Sequence, residues 1–179
     1  VRDTAYDMGI ETTLDAVPPQ ISSTLPVQNA KNVPVETQIR VVFSEAVTLE
    51  SLSGPALQLF DVDDQVGVAT TFTLQPQARE VLITPIAVLA PDHVHRLTIQ
   101  GVRDPVGNIM LQPFVLNFAS ADITPPVVGS ISPAAGSSVT SGQTIEIAAV
   151  VTDNQAPGTV TFRFLGRSTT IAPQVSGAT

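Results

Sequence analysis

Six stretches of this chain alternate apolar and polar side chains with a period of two: Ile39-x-Val41-x-Phe43, Val68-x-Thr70-x-Phe72-x-Leu74, Leu97-x-Ile99, Phe114-x-Leu116-x-Phe118, Ile145-x-Ile147-x-Ala149-x-Val151 and Val160-x-Phe162-x-Phe164. Successive side chains of a strand point to opposite faces, so this period predicts strands with one face in a core and one in water. Turn formers separate them: Asp63-Asp64-Gln65-Val66-Gly67, Gly107-Asn108, Ala135-Gly136-Ser137 and Pro157-Gly158. Helical periodicity is nearly absent. One short turn is expected at Leu49–Leu52, with Thr48 as its cap. Short strands with turn signals between them predict an all-β chain built from antiparallel β-sandwiches.

The chain also repeats itself. Asp15-Ala16-Val17-Pro18-Pro19 returns as Asp122-Ile123-Thr124-Pro125-Pro126, an offset of 107 residues, and Pro26 returns as Pro133 at the same offset. Val1-Arg2-Asp3 matches Val102-Arg103-Asp104. The expected organisation is the last strand or strands of one unit at 1–16, a complete unit at 17–122, and the front of a third at 123–179. A unit of about 105 residues can carry its own core, so the units are beads on a string rather than a solenoid. The Asp-x-x-Pro-Pro segments are the linkers. Proline fixes φ and restricts the residue before it, and paired prolines favour a stiff, extended connection.

Composition excludes several kinds of chemistry. The net charge is −8 with only eight Lys and Arg, which leaves no basic patch for nucleic acid. There is no Cys, so a disulfide scaffold, a Cys-based zinc ribbon and a thiol nucleophile are all excluded. Charged residues are 13% of the chain and apolar ones 43%, a balance that favours a packed core over disorder. No apolar run is long enough for a membrane helix. The chain begins at Val1 rather than Met, as a mature form or a piece of a longer chain does. No Gly-x-Ser-x-Gly elbow or phosphate-binding glycine loop occurs. With no Trp and Tyr6 as the one Tyr, aromatic platforms for sugars are lacking. Lys31, the sole Lys, is expected in a turn, a poor place for an internal isopeptide bond.

The residues resemble the bacterial Ig-like domains of S-layer and cell-surface repeat proteins. The likeness runs through the whole middle unit. It starts at Pro18-Pro19, with Pro26 closing the first strand, and continues with Asn32-Val33-Pro34-Val35. Ile39–Val47 follows, where Phe43-Ser44-Glu45-Ala46-Val47 stands for the family's Phe-Ser-Glu-Pro-Val with Ala46 in place of Pro. Ile83-Thr84-Pro85 and Leu89-Ala90-Pro91 come next. The most specific stretch is Val102-Arg103-Asp104-Pro105-Val106-Gly107-Asn108, which resembles the family's Val-x-Asp-x-x-Gly-Asn hairpin. The resemblance implies tandem Ig-like sandwiches joined by Pro-Pro linkers. It implies extracellular or cell-surface spacers, adhesin shafts, fibre or lattice pieces, and no catalysis.

Three groups of residues are candidates for metal chemistry. His93-x-His95 puts two imidazoles on one strand face beside Asp92, although zinc or copper needs a third or fourth ligand. His95 stands where the family has a rim-packing Tyr, which makes aromatic packing the competing explanation. Asp61-x-Asp63-Asp64-x-x-Gly67 has the acids of a calcium loop out of register, and a polar hairpin turn accounts for it better. Asp15, Asp104, Asp122 and Asp153 are the third group. Linker and loop carboxylates from neighbouring units could meet at a junction and hold calcium, as some adhesins that resemble this chain do. The competing explanation is turn-forming Asp bonded to nearby amides.

The expected partners are neighbouring Ig-like domains of the same chain and like subunits in a fibre or lattice. An open sandwich at either end exposes strand edges that invite pairing, but the two end pieces together are too short to make one unit. No nucleic acid and no membrane span are expected. The alternative is a ligand- or carbohydrate-binding accessory module of a secreted enzyme or adhesin, with recognition in the loops at a sandwich end.

Overall fold

The strand pattern closes into two layers around the middle of the chain. The computed structural model describes residues 15–138, 140–155, 159–164 and 167–171. The strand expected within residues 1–14 and the Pro157-Gly158 turn lie outside the described residues. The chain divides into two units, Val1–Ala121 and Asp122–Thr179.

The first unit contains β1 (Ile21–Leu25), β2 (Ala30–Val33), β3 (Ile39–Phe43), β4 (Leu57–Asp61), β5 (Val66–Val68), β6 (Thr70–Leu74), β7 (Glu80–Pro85), β8 (Val94–Ile99) and β9 (Phe114–Ser120). One sheet has the order β1-β3-β7-β6 and the other β2-β9-β8-β4-β5. Alternation decides what lies between them. Ile39, Val41 and Phe43 of β3 and Val81 and Ile83 of β7 face Leu59 of β4, Leu97 and Ile99 of β8, and Leu116 and Phe118 of β9. Arg40, on the outer face of β3, pairs at 2.6 Å with Glu80 of β7. Each buried branched side chain removed from water stabilises by roughly 1.5–3 kcal/mol, which is how a unit without disulfides holds together.

The structure departs from the sequence reading at five points. The run Val68–Leu74 is not one strand. It breaks at Ala69, with β5 in the five-stranded sheet and β6 in the four-stranded one. A period of two names the face of a side chain, not the sheet its backbone joins. The strand expected from Ile145 begins only at Ala148. One pair, β2 with β9, is parallel, because β2 crosses from the first sheet to join the second. Lys31 lies in β2 rather than in a turn. Thr48 does not cap the short 3-10 turn Glu50–Leu52, which has no side-chain cap. Instead the Thr48 N–H donates to Arg103 O at 2.9 Å, a tertiary partner that local sequence cannot reveal.

The second unit contains β10 (Val127–Ser132) paired with β11 (Ala148–Thr152), and β12 (Val160–Phe164) paired with β13 (Arg167–Ile171). Val127, Val128, Ile131 and Val150 are exposed, unlike the apolar residues on the inner faces of the first unit. The repeat extends to local conformation. Asp15 Oδ1 accepts the Val17 N–H at 2.9 Å, and Asp122 Oδ1 accepts the Thr124 N–H at 2.8 Å. The Leu25–Pro26 and Ser132–Pro133 bonds, at equivalent positions of the two units, are both cis.

Candidate metal centres

Among the described residues, two groups of side chains bring potential ligand atoms within 4.8 Å of one another: Asp15 with Glu45 and Asp104, and Asp61 with Asp63 and His93. They lie at opposite ends of β8, since His93 immediately precedes that strand and Asp104 follows it.

The first group is built on the hairpin Arg103–Ile109, closed by an antiparallel bridge between those two residues. Asp104 is 2% exposed. Its Oδ1 accepts the N–H groups of Val106, Gly107 and Asn108 at 3.0, 2.6 and 2.8 Å, and its Oδ2 accepts the Asn108 side-chain amide at 2.7 Å. Burial pushes this carboxyl up, but the Asn108 side chain and the three amides outweigh it, and its pKa is lowered. Gly107 supplies φ +102°, which residues with a Cβ avoid. Asn108 also donates to Asp15 O at 3.1 Å and to Val17 O at 3.4 Å, so the hairpin grips the Asp15–Val17 segment.

Glu45 arrives by tertiary pairing. On one side, Ser44 exchanges bonds with Gln20: its N–H donates to Gln20 O at 2.8 Å and its Oγ accepts the Gln20 N–H at 3.0 Å. On the other side, Thr48 is tied to Arg103. Glu45 is therefore held between the Gln20 backbone and the hairpin. Burial, then Asp15 and Asp104, push its pKa up against the pull of Arg79. Its Oε1 is buried with no hydrogen-bond partner. A buried carboxylate oxygen left unpaired beside two other acids is costly, and a cation relieves that cost.

The second group joins two parts of the sequence that were read separately. Asp61 ends β4 and stands opposite His95 of β8 in the antiparallel ladder. Its Oδ1 accepts the Asp63 and Asp64 N–H groups at 3.0 and 3.1 Å, which shapes the turn into β5. Its Oδ2 lies 2.9 Å from His93 Nδ1. Burial raises the Asp61 pKa, but the Asp64 amide and His93 outweigh it, and the net shift is downward. The bond to Asp61 raises His93, with Asp64 and Asp63 adding to it. His95 does not join His93 at this site. It is fully buried, its ring centroid lies 5.5 Å from that of Phe118, and burial lowers its pKa. The aromatic-packing explanation therefore describes His95, and His93 finds its partners in the Asp61 turn.

Of the four acids singled out in the sequence, the structure brings Asp15 and Asp104 together. Asp122 and Asp153 belong to the second unit. Asp122 holds the Thr124 amide, and Asp153 Oδ1 is buried with no hydrogen-bond partner. Sequence reasoning missed Glu45 as a partner of Asp15 and Asp104. Its one signal was its place in the Phe43-Ser44-Glu45 motif at the end of β3.

Two facing sheets with a shared apolar core and an Asp-x-x-Gly-Asn hairpin define an Ig-like β-sandwich module. The family model of the bacterial Ig-like domain matches residues 15–120, and the chain belongs to that family. No curated protein matches it. Among solved structures it is similar to domains 1–6 of the surface layer protein SbsC, at 14% identity and TM-score 0.47, over 65% of this chain and 15% of that one. It is also similar to the copper resistance protein PcoC from Escherichia coli, at 18% identity and TM-score 0.45, over 56% of this chain and 98% of that one. A third is CopC from Methylosinus trichosporium OB3b, at 14% identity and TM-score 0.45, over 60% of this chain and 97% of that one. The chain thus spans about a seventh of the surface layer protein chain it matches.

Proposed function

We propose that this chain is a non-catalytic spacing module of a bacterial cell-surface or secreted protein. In this reading residues 17–122 form one complete unit, 1–16 end a preceding one and 123–179 begin a following one. The observation that carries the reading is the grip of Asn108 on Asp15 O and Val17 O, which fixes the linker to the unit it enters. A spacer needs this, because a module that swivels on its linker sets no distance.

Calcium belongs to the same proposal. Asp15, Glu45 and Asp104 offer three carboxylates at the point where linker and domain meet, and the ion would replace mutual repulsion with a clamp. Asp122 and Asp153 are the corresponding candidates in the second unit.

The test is exchange. Replacing residues 17–122 in the parent protein by an unrelated sandwich of equal length, with the linkers kept, is expected to preserve surface display and assembly. Loss of binding to a defined ligand on that exchange, restored by grafting the loops back, would overturn the spacer reading in favour of a binding module.

A further inference from the structure

We propose that Asp61, Asp63 and His93 form a binding site for a divalent transition-metal ion of the zinc class, at the opposite end of β8 from Asp104. The proposal is independent of the spacer reading and of calcium. The donor set is the first argument. Two carboxylates and an imidazole suit zinc, copper, nickel or cobalt, whereas calcium and magnesium take oxygen alone. Three protein donors also leave a coordination position for water.

Spacing is the second argument. Bonds of about 2.0–2.1 Å in a tetrahedral site place neighbouring ligand atoms about 3.3 Å apart. Asp61 Oδ2 and His93 Nδ1 are 2.9 Å apart and all three ligand atoms lie within 4.8 Å, so adjustments of an ångström or so admit an ion. Asp64 Oδ2, 3.9 Å from the same ring nitrogen, is a third carboxylate at the rim and adds negative charge facing the ion.

The third argument is that the donors are held in place. Two backbone amides occupy Asp61 Oδ1 and leave Oδ2 for the imidazole. The Val94 N–H holds Asp63 Oδ2 at 2.6 Å. The backbone of His93 is pinned on both sides by Ser120, which accepts its N–H at 3.0 Å through Oγ and donates its own N–H to His93 O at 2.9 Å. A separate observation comes from the interior. His95, fully buried and directly across the ladder from Asp61, has an Nδ1 with no hydrogen-bond partner. A buried polar atom without a partner is costly, and it lies on the residue paired with Asp61.

Calorimetric titration of the whole chain with zinc chloride tests the proposal, with cobalt absorption as a spectroscopic readout. The expected result is saturable uptake of one zinc ion at this site in the micromolar range or tighter, not displaced by excess calcium. The His93→Gln variant is expected to lose that uptake, together with the visible cobalt bands. Asp63→Asn, which keeps a side-chain oxygen to accept the Val94 N–H, is expected to weaken uptake at least tenfold. Absence of saturable zinc uptake by the wild-type chain would overturn the proposal, as would unchanged uptake in both variants or displacement of zinc by calcium.

Discussion

Asn108 donates its side-chain amide to the backbone oxygen of Asp15, 3.1 Å away and 93 residues earlier in the chain. The same amide group serves Asp104 Oδ2 at 2.7 Å, so one side chain ties the hairpin to itself and to the Asp15 backbone. Replacing Asn108 by Ala removes both roles. Folding stability is expected to fall by about 1–2 kcal/mol, the range for lost hydrogen bonds at a partly buried site. Amide exchange at Val17 is expected to accelerate more than exchange in β8 or β9. Uniform acceleration across the unit would count against a local grip on Asp15–Val17.

Glu45 has the opposite sign. In the absence of calcium it is an acid forced between two others, so Glu45→Gln is expected to raise the melting temperature at neutral pH by a few degrees. The same variant is expected to lose the calcium-induced rise of the wild type. Differential scanning calorimetry with calcium and with a chelator measures both effects. A calcium response that survives in Glu45→Gln would remove Glu45 from the site.

Asp104 makes acid stability testable. Its folded pKa lies below the ordinary carboxylate value of 3.8. Its contribution is therefore present above that value and lost as pH falls through the lower, folded value. Asp104→Asn is expected to be destabilised at neutral pH, and its deficit relative to wild type is expected to shrink progressively below pH 3.8. Urea unfolding at a series of pH values checks the slope.

Leu97 and Val115 lie on opposite faces of the five-stranded sheet. Leu97 is fully buried in the core, whereas Val115 of β9 is exposed. Leu97→Ala is expected to cost about 2–5 kcal/mol through lost burial and a residual cavity. Val115→Thr, a β-branched exchange on the outer face, is expected to stay within about 0.5 kcal/mol. Equal costs in urea unfolding would mean the register of β8 and β9 is wrong.

Gly107 occupies φ +102° while its N–H donates to Asp104 Oδ1 at 2.6 Å. Space for a Cβ is open there, so only backbone strain opposes substitution. Gly107→Ala is expected to cost about 1–2 kcal/mol by thermal unfolding, and Gly67→Ala, with ordinary φ and open space, much less.

Much of the fold was legible because the signals are local. Ile39-x-Val41-x-Phe43 and Phe114-x-Leu116-x-Phe118 state their buried faces in the residues themselves. Asp104-x-x-Gly-Asn states its hairpin, because one carboxylate, one left-handed glycine and one amide suffice to close it. Legibility failed wherever a backbone had a choice of partners. Nothing in Val68–Leu74 says that the chain changes sheets at Ala69, and nothing around Ala30–Val33 says that β2 runs parallel to β9. The candidate sites divide the same way. Asp15 and Asp104 stood out as candidate calcium ligands from a linker and a loop, but Glu45 was invisible as their neighbour.

The sequence alone determined an all-β chain, because side-chain alternation and turn chemistry act over a few residues, and its Val-x-Asp-x-x-Gly-Asn hairpin and Pro-Pro motifs carried the resemblance to the bacterial Ig-like family. Tertiary structure alone decided which acids meet. Asp61 and His93 are 32 residues apart and touch because β4 pairs with β8. Glu45 reaches Asp15 and Asp104 because Ser44 binds Gln20 and Thr48 binds Arg103. Sheet pairing buries apolar faces from distant parts of the chain against one another. The charged residues at the strand ends are carried to their neighbours by that burial rather than by their own attraction.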